Sequence, residues 1–466
     1  MNPTRVLVLT LLLLVICGTR SSSAAENPEW LAGVASVKIT PQKPVPLAGY
    51  AARTQPFESV DQDIDAKALV LDDQKGHRAV LVTIDLCILP QDVGQEVRRR
   101  IAETTKIDPS SILLNVAHSH SAPAVALKRD PTPGQVNPSQ EGTIEYTHWL
   151  MDRLVEVSQS ATSHMRPAKL SWGTGVTSFV MNRRQFTDRG VILGVNPRGL
   201  VDRSVPVLRV DGADGKPVAI LFGYACHNTT MPAKRLAVSG DFEGYAKEYV
   251  QQHYPGAEAM FMIGCAGDAN PYPRQEVTDA TNHGEELGRE VCRVLETKLQ
   301  PVRGPLTCAL VDAELPLQVP DRQSLETTVK SGSALNKMSA REMLVNLDAA
   351  GKLPEIYHAP VEAWQFGKDL TLIALPDEVV VQYVHRLEKA VGPLRLWISA
   401  YCQEVAGYIP SDNVLREGGY ETRGLYIGTG WFAPGVEDAL VKAAAQAAMN
   451  AGRTVEAAAT DSLKAH

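Results

Sequence analysis

Two stretches of this sequence deliver histidines where a strand-like run stops. Ile112 to Ala117 (ILLNVA) runs straight into His118-Ser119-His120-Ser121-Ala122-Pro123, and Pro217 to Ala225 (PVAILFGYA) runs into Cys226-His227-Asn228-Thr229. Residues two apart on extended backbone project to the same side, so the imidazoles of His118 and His120 can face one cavity. Imidazole and carboxylate groups are proton carriers and metal ligands, and the C-terminal ends of sheet strands are where α/β proteins gather them. Three other junctions share this character. Leu372-Ile373-Ala374-Leu375-Pro376 empties into Asp377-Glu378; Met260 to Ile263 empties into Gly264 to Pro271, with Asp268 and Asn270; Leu394 to Ser399 leads through Tyr401 to Tyr408. Each side chain has a plainer reading as well. A single histidine fits a capped or solvated loop, Glu378 the first turn of a helix, and Asp268 an Asx turn.

The elements that must position these groups alternate. Ala79 to Leu86, Ile112 to Ala117, Pro217 to Ala225, Met260 to Ile263, Leu370 to Leu375 and Leu394 to Ser399 read as strands by their aliphatic density. Helical spacing is expected over Asp92 to Thr104, Glu145 to Gln159, Glu243 to His253, Gly284 to Leu299, Val379 to Val391 and Gly435 to Met449. The first strand, helix and second strand make a βαβ unit. The alternation predicts an α/β fold, a mixed sheet covered by helices, with the site at C-terminal strand ends of a single large domain. Pro320 to Met343 carries the least pattern and is expected to be an excursion or flap.

Composition agrees with a large folded core. The 466 residues are 44% hydrophobic, and the net charge is −7 with no basic stripe interleaved with aromatics, which argues against nucleic acid as a partner. Residues 1–25 read as a secretory leader: Arg5, an apolar run from Val6 to Cys17, then Ser23-Ala24-Ala25 for cleavage. Residues 26–466 are then the one large folded domain, and a secreted or periplasmic location is expected. Bulky Ile16 before Cys17 disfavours a lipoprotein. None of Cys87, Cys226, Cys265, Cys292, Cys308 and Cys402 sits in a Cys-x-x-Cys pair, which favours isolated core thiols. His77, His148, His253, His385 and the Arg98-Arg99-Arg100 run fit structural roles, and Trp431 could wall a pocket.

Taken in order, a set of short pieces resembles the N-terminal domain of the neutral (alkaline, non-lysosomal) ceramidases, which are zinc amidases. The pieces are Gly33 to Pro41, Leu47-Ala48-Gly49-Tyr50-Ala51, Thr83-Ile84-Asp85, Ala117 to Pro123, Asn182-Arg183, His227 to Met231, Ser239 to Ala246, Gly267 to Pro271, Pro376-Asp377-Glu378, and Tyr408 to Ser411 with Tyr420-Glu421. The resemblance implies that His118, His227, Glu378 and Tyr408 hold Zn²⁺, and that His120, Arg183 and Tyr420 contact the scissile amide. It further implies attack by zinc-activated hydroxide, with His120 as the proton shuttle. Histidine and carboxylate suit zinc on general grounds, whereas a tyrosine ligand rests on the resemblance. Asn270 stands where the family carries a serine; it cannot be a nucleophile but can donate a hydrogen bond. The substrate implied is ceramide or another N-acyl, lipid-like compound, with peripheral contact to a membrane surface. From the residues alone two alternatives stay open: a metal-dependent ester, lactone or phosphoester hydrolase using His118 and His120 as a metal pair, and a non-catalytic exported binding domain.

Overall fold

The apolar runs become strands buried on both faces. In the computed structural model, which describes residues 29–455 apart from 51–52, 54, 129–139, 333 and 426–429, a nine-stranded mixed sheet forms the centre. The leader expected over 1–25 lies outside the described residues. Across the sheet the strands run in the order Glu258–Ile263, Pro217–Tyr224, Ser204–Gly212, Arg166–Val176, Trp30–Lys38, Asp65–Asp72, Arg78–Ile84 and Ile112–Val116, with Gln300–Val302 added beside Arg166–Val176. The expected βαβ unit is present: Arg78–Ile84 and Ile112–Val116 pair in parallel through helix Gln91–Thr105. Alternation assigns the two faces. Ile220 and Phe222 point into the larger core under the helices, while Ala219 and Leu221 point into a second core; Val80 and Val82 differ from Leu81 in the same way.

That second core lies against a four-stranded sheet, Leu306–Pro316, Ile356–Phe366, Leu370–Ala374 and Leu396–Ser399, which contributes Trp364, Phe366, Leu372 and Trp397. Helix Val436–Asn450 contributes a buried alanine face to the larger core. The central sheet curls, so that its edge strand Ile112–Val116 returns toward Glu258–Ile263. There the Asn115 Oδ1 accepts from the Ile263 N–H at 3.4 Å, and Asn115 Nδ2 donates to the Ala400 carbonyl at 2.7 Å. Curling brings strand ends from opposite sides of the sheet to one place. Ser119 and Asn228, each beside a candidate histidine, form a parallel bridge.

Three expectations change. The segment Pro320 to Met343 is no flap but the start of a helical pair, Arg322–Ser331 and Ala334–Ala350, capped by Asp321 and enclosing Leu325, Ala340 and Met343. Trp431 packs against this pair rather than walling the cavity described below. Helix Val379–Val391 begins later than its pattern suggests, at Gln382, because Glu378–Val379 is a short strand. The six described cysteines are free, five of them buried, as expected for core thiols. Among the described residues, no helix is long and apolar enough to cross a membrane.

Candidate metal centre

His118 and His227 converge with Glu378. The Nε2 atoms of the two imidazoles lie 3.1 and 3.0 Å from the Glu378 Oε2, and all three side chains are at most 1% exposed. The strand ends explain the convergence. His118 follows Ile112–Val116 and takes a left-handed φ of 63°, while Glu378 follows Asp377, which also has φ 63°. Left-handed backbone in non-glycine residues is uncommon and tends to cluster at functional sites. Glu378 pairs in register with Tyr408 in a two-residue parallel ladder, so these two side chains share one side. The Tyr408 hydroxyl lies 3.4 Å from the His227 Nε2.

Backbone carbonyls set the tautomers. The His118 Nδ1 is 2.7 Å from the Cys87 carbonyl and the His227 Nδ1 is 2.7 Å from the Ala266 carbonyl. Each Nδ1 therefore carries a proton and donates it, so the Nε2 atoms are the ones aimed at the shared point. Burial works against charge on Glu378, yet the two imidazoles outweigh it and hold its carboxyl well below the usual range. Burial and Arg183 push His227 down to about 3, keeping it neutral. Burial works against charge on His118, but Glu378 outweighs it and pushes it up to about 10, so a divalent cation would displace the Nε2 proton; the two Nε2 lone pairs and the carboxylate are then a donor set that fits the ion. Cys87, His118 and His120 form a second close trio, but both trios contain His118, so they describe one centre.

The remaining candidates surround it. The His120 Nε2 is 3.1 Å from the His118 Nε2, and burial, with the neighbouring imidazoles adding to it, pushes its pKa well below the ordinary value. Arg183 reaches the centre through Nη1, 3.1 Å from the His227 Nε2, and donates to the Asn270 Oδ1 at 3.3 Å. Tyr420 lies in the turn Tyr420–Arg423 with its ring 5.5 Å from that of Tyr408. The structure thus brings together all eight residues singled out from the sequence. A cavity of about 850 Å³ opens onto His118, His120, Glu378, Tyr408 and Tyr420, and its lining also includes Leu47, Ile88, Pro90 and Val405 with Tyr50, Arg53 and Arg423.

Several further residues support the centre. Glu421 binds the Arg183 Nε at 2.9 Å and the Arg184 Nη1 at 2.6 Å, all three being buried. Asp268 ties the parts together, accepting from the Val381 N–H at 2.8 Å and from the Asn182 Nδ2 at 3.2 Å. Asp241 accepts from the Met231 and Phe242 N–H groups and so braces the loop after His227. The twin arginines and the lone Glu421 were visible signals; their pairing across more than 230 residues was not.

Gly49 has a specific task. Its φ is +90°, and a Cβ built there would lie 2.4 Å from the Cγ and Nδ1 of His120. Tyr50 meets the same ring edge-on at 4.8 Å, and the Arg53 guanidinium donates to the His120 carbonyl. Gly49→Ala is expected to displace the imidazole while leaving His118, His227 and Glu378 in place. Turnover should fall about 100-fold or more, the range for losing a positioned acid–base group, with metal content unchanged. Steady-state kinetics beside elemental analysis will check this.

Fold and site together define an α/β protein with a buried two-histidine, one-carboxylate centre at the mouth of a curled sheet. The family model of the neutral/alkaline non-lysosomal ceramidase N-terminal region matches residues 30–313, and the chain belongs to this family. Neutral ceramidase B of Dictyostelium discoideum is 27% identical over 252 residues, covering 49% of this chain and 34% of that protein. The neutral ceramidase of Pseudomonas aeruginosa is 24% identical over 271 residues, covering 56% of this chain and 40% of that protein. The chain therefore spans well under half the length of these curated relatives. The crystal structure of neutral ceramidase from Pseudomonas aeruginosa shares the fold with a TM-score of 0.69 at 18% identity, over 92% of this chain and 76% of that one. The likeness in fold thus reaches well beyond residue 313.

Proposed function

We propose that this chain is a secreted zinc-dependent amide hydrolase that cleaves ceramide or another N-acyl compound. The observation that carries the reading is the buried His118–His227–Glu378 convergence at the floor of a partly apolar cavity, in a chain of the ceramidase family. His118, His227 and Glu378 would hold the ion, with Tyr408 beside them. When bound, zinc supplies Lewis acidity toward a carbonyl oxygen and acidifies water to near neutrality.

The chain's own groups do the rest. The aliphatic wall of the cavity receives an acyl chain and excludes water, and a related structure is described as a ceramidase complexed with C2. Arg183, fixed by Glu421, presents a cation to the carbonyl oxygen as negative charge develops there. Tyr420 offers a phenol at the cavity wall. His120 is neutral and close to the centre, so it can take a proton at Nε2 and return it to the leaving amine, which departs poorly unless protonated. Asn270 acts through Arg183, accepting one of its N–H bonds; nothing in this scheme needs a serine at that position.

Purified protein is expected to contain about one zinc per chain and to release fatty acid from an N-acyl sphingosine. Chelation should abolish hydrolysis and zinc should restore it. Hydrolysis surviving complete metal removal sinks the proposal, and inertness toward a broad amide panel with zinc bound selects the non-catalytic alternative.

A further inference from the structure

Tyr401 breaks a pattern that the other buried tyrosines keep. Tyr146 donates to the Ile39 carbonyl at 2.8 Å, Tyr224 bonds the Val180 N–H at 3.1 Å, Tyr357 meets Glu404 at 2.6 Å, and Tyr383 donates to the Pro410 carbonyl at 3.0 Å. The Tyr401 side chain is equally buried, with the residue 1% exposed, yet its hydroxyl has no hydrogen-bond partner among the described residues. Buried phenols nearly always find one, and an orphaned hydroxyl calls for an explanation.

Its position supplies one. The Tyr401 ring centroid lies 4.6 Å from that of His118 and 6.2 Å from that of His227. Its backbone is tied to both ligand-bearing segments: the Tyr401 N–H donates to the Asp377 carbonyl at 3.0 Å, and its carbonyl accepts from the Val116 N–H at 3.2 Å. Like His118 and Asp377, it adopts a left-handed φ, here 56°, which a tyrosine takes only where its surroundings impose it.

We propose that Tyr401 is a positioning residue of the metal centre, its buried hydroxyl serving as a hydrogen-bond donor to the Glu378 carboxylate when that group, with His118 and His227, holds a metal ion. This rests on the metal-site reading above. The donor would be poorly served in metal-free protein and satisfied in the loaded one, so the hydroxyl favours metal uptake. Groups that orient metal ligands typically contribute about 10- to 100-fold in affinity.

Tyr401→Phe removes the one oxygen and keeps the ring. Zinc transfer from the loaded protein to a chromophoric chelator gives the affinity, and thermal melts of metal-free and zinc-loaded protein give the stability of each form. The expected result is a metal-free Tm equal to or above that of the parent, zinc held about 10- to 100-fold more weakly, and a smaller rise in Tm on loading. Tyr224→Phe, which loses a satisfied bond away from the centre, should lower both melts and leave zinc affinity unchanged. A Tyr401→Phe affinity within twofold of the parent overturns the proposal, whatever happens to the metal-free melt, because packing alone then explains the residue. A parent protein that takes up no divalent ion overturns the metal-site reading itself, and this proposal with it.

Discussion

Alanine at His118 or His227 is expected to empty the centre of metal and reduce hydrolysis to background. The argument is one of burial. Each imidazole meets the Glu378 carboxylate at about 3 Å inside a pocket almost closed to solvent. Removing His118 leaves the carboxylate without its cationic partner, and breaking a buried charged pair from one side costs about 3–5 kcal/mol, while removing His227 takes away a hydrogen-bond partner. The loss should therefore register twice, as absent zinc in elemental analysis and as a lower Tm. A variant that kept both its zinc and its activity would show that the ion, if any, sits elsewhere.

Arg183→Gln should separate catalysis from metal binding. Arg183 touches the centre through a single nitrogen and is not needed to hold an ion, so zinc content should match the parent. On the function proposed above the guanidinium meets the developing oxyanion, and removing such a donor typically costs about 10²- to 10³-fold in kcat. Glu421 keeps its bond to Arg184 in this variant, so the turn carrying Tyr420 stays anchored. Glu421→Gln is the harsher change, since one substitution strips the carboxylate from two buried arginines; comparing the two melts will show how much of the effect is structural. An Arg183→Gln enzyme with parental kcat would remove the residue from the chemistry.

The parts of this site that could be read from sequence share a physical origin. His118 and His227 end strands whose residues are buried on both faces, and such strands appear as unbroken aliphatic runs that announce their own termini. Glu378 was ambiguous, fitting a strand end and a helix start equally. What decides between them is the ladder to Tyr408, thirty residues on, and pairing across that distance leaves no local mark. Strands with one half-exposed face, such as Arg166–Val176 and Leu306–Pro316, were missed for a related reason: interspersed polar residues dilute the apolar signal. The helices at Arg322–Ser331 and Ala334–Ala350 looked featureless because their shared core is only a few residues wide. Tyr401 and Glu421 could not be assigned roles, because those roles exist only once the sheet has curled.

The unpaired cysteines bear on how the protein can be made. With no sulfur–sulfur bond among the described residues, its folding waits on no oxidant and no isomerase. Burial also pushes the thiols of Cys226 and Cys265 well up, which keeps reactive thiolate scarce. Folded material should therefore be obtainable from a reducing bacterial cytoplasm as readily as from an oxidising compartment, and the fold should tolerate a non-chelating reductant during purification.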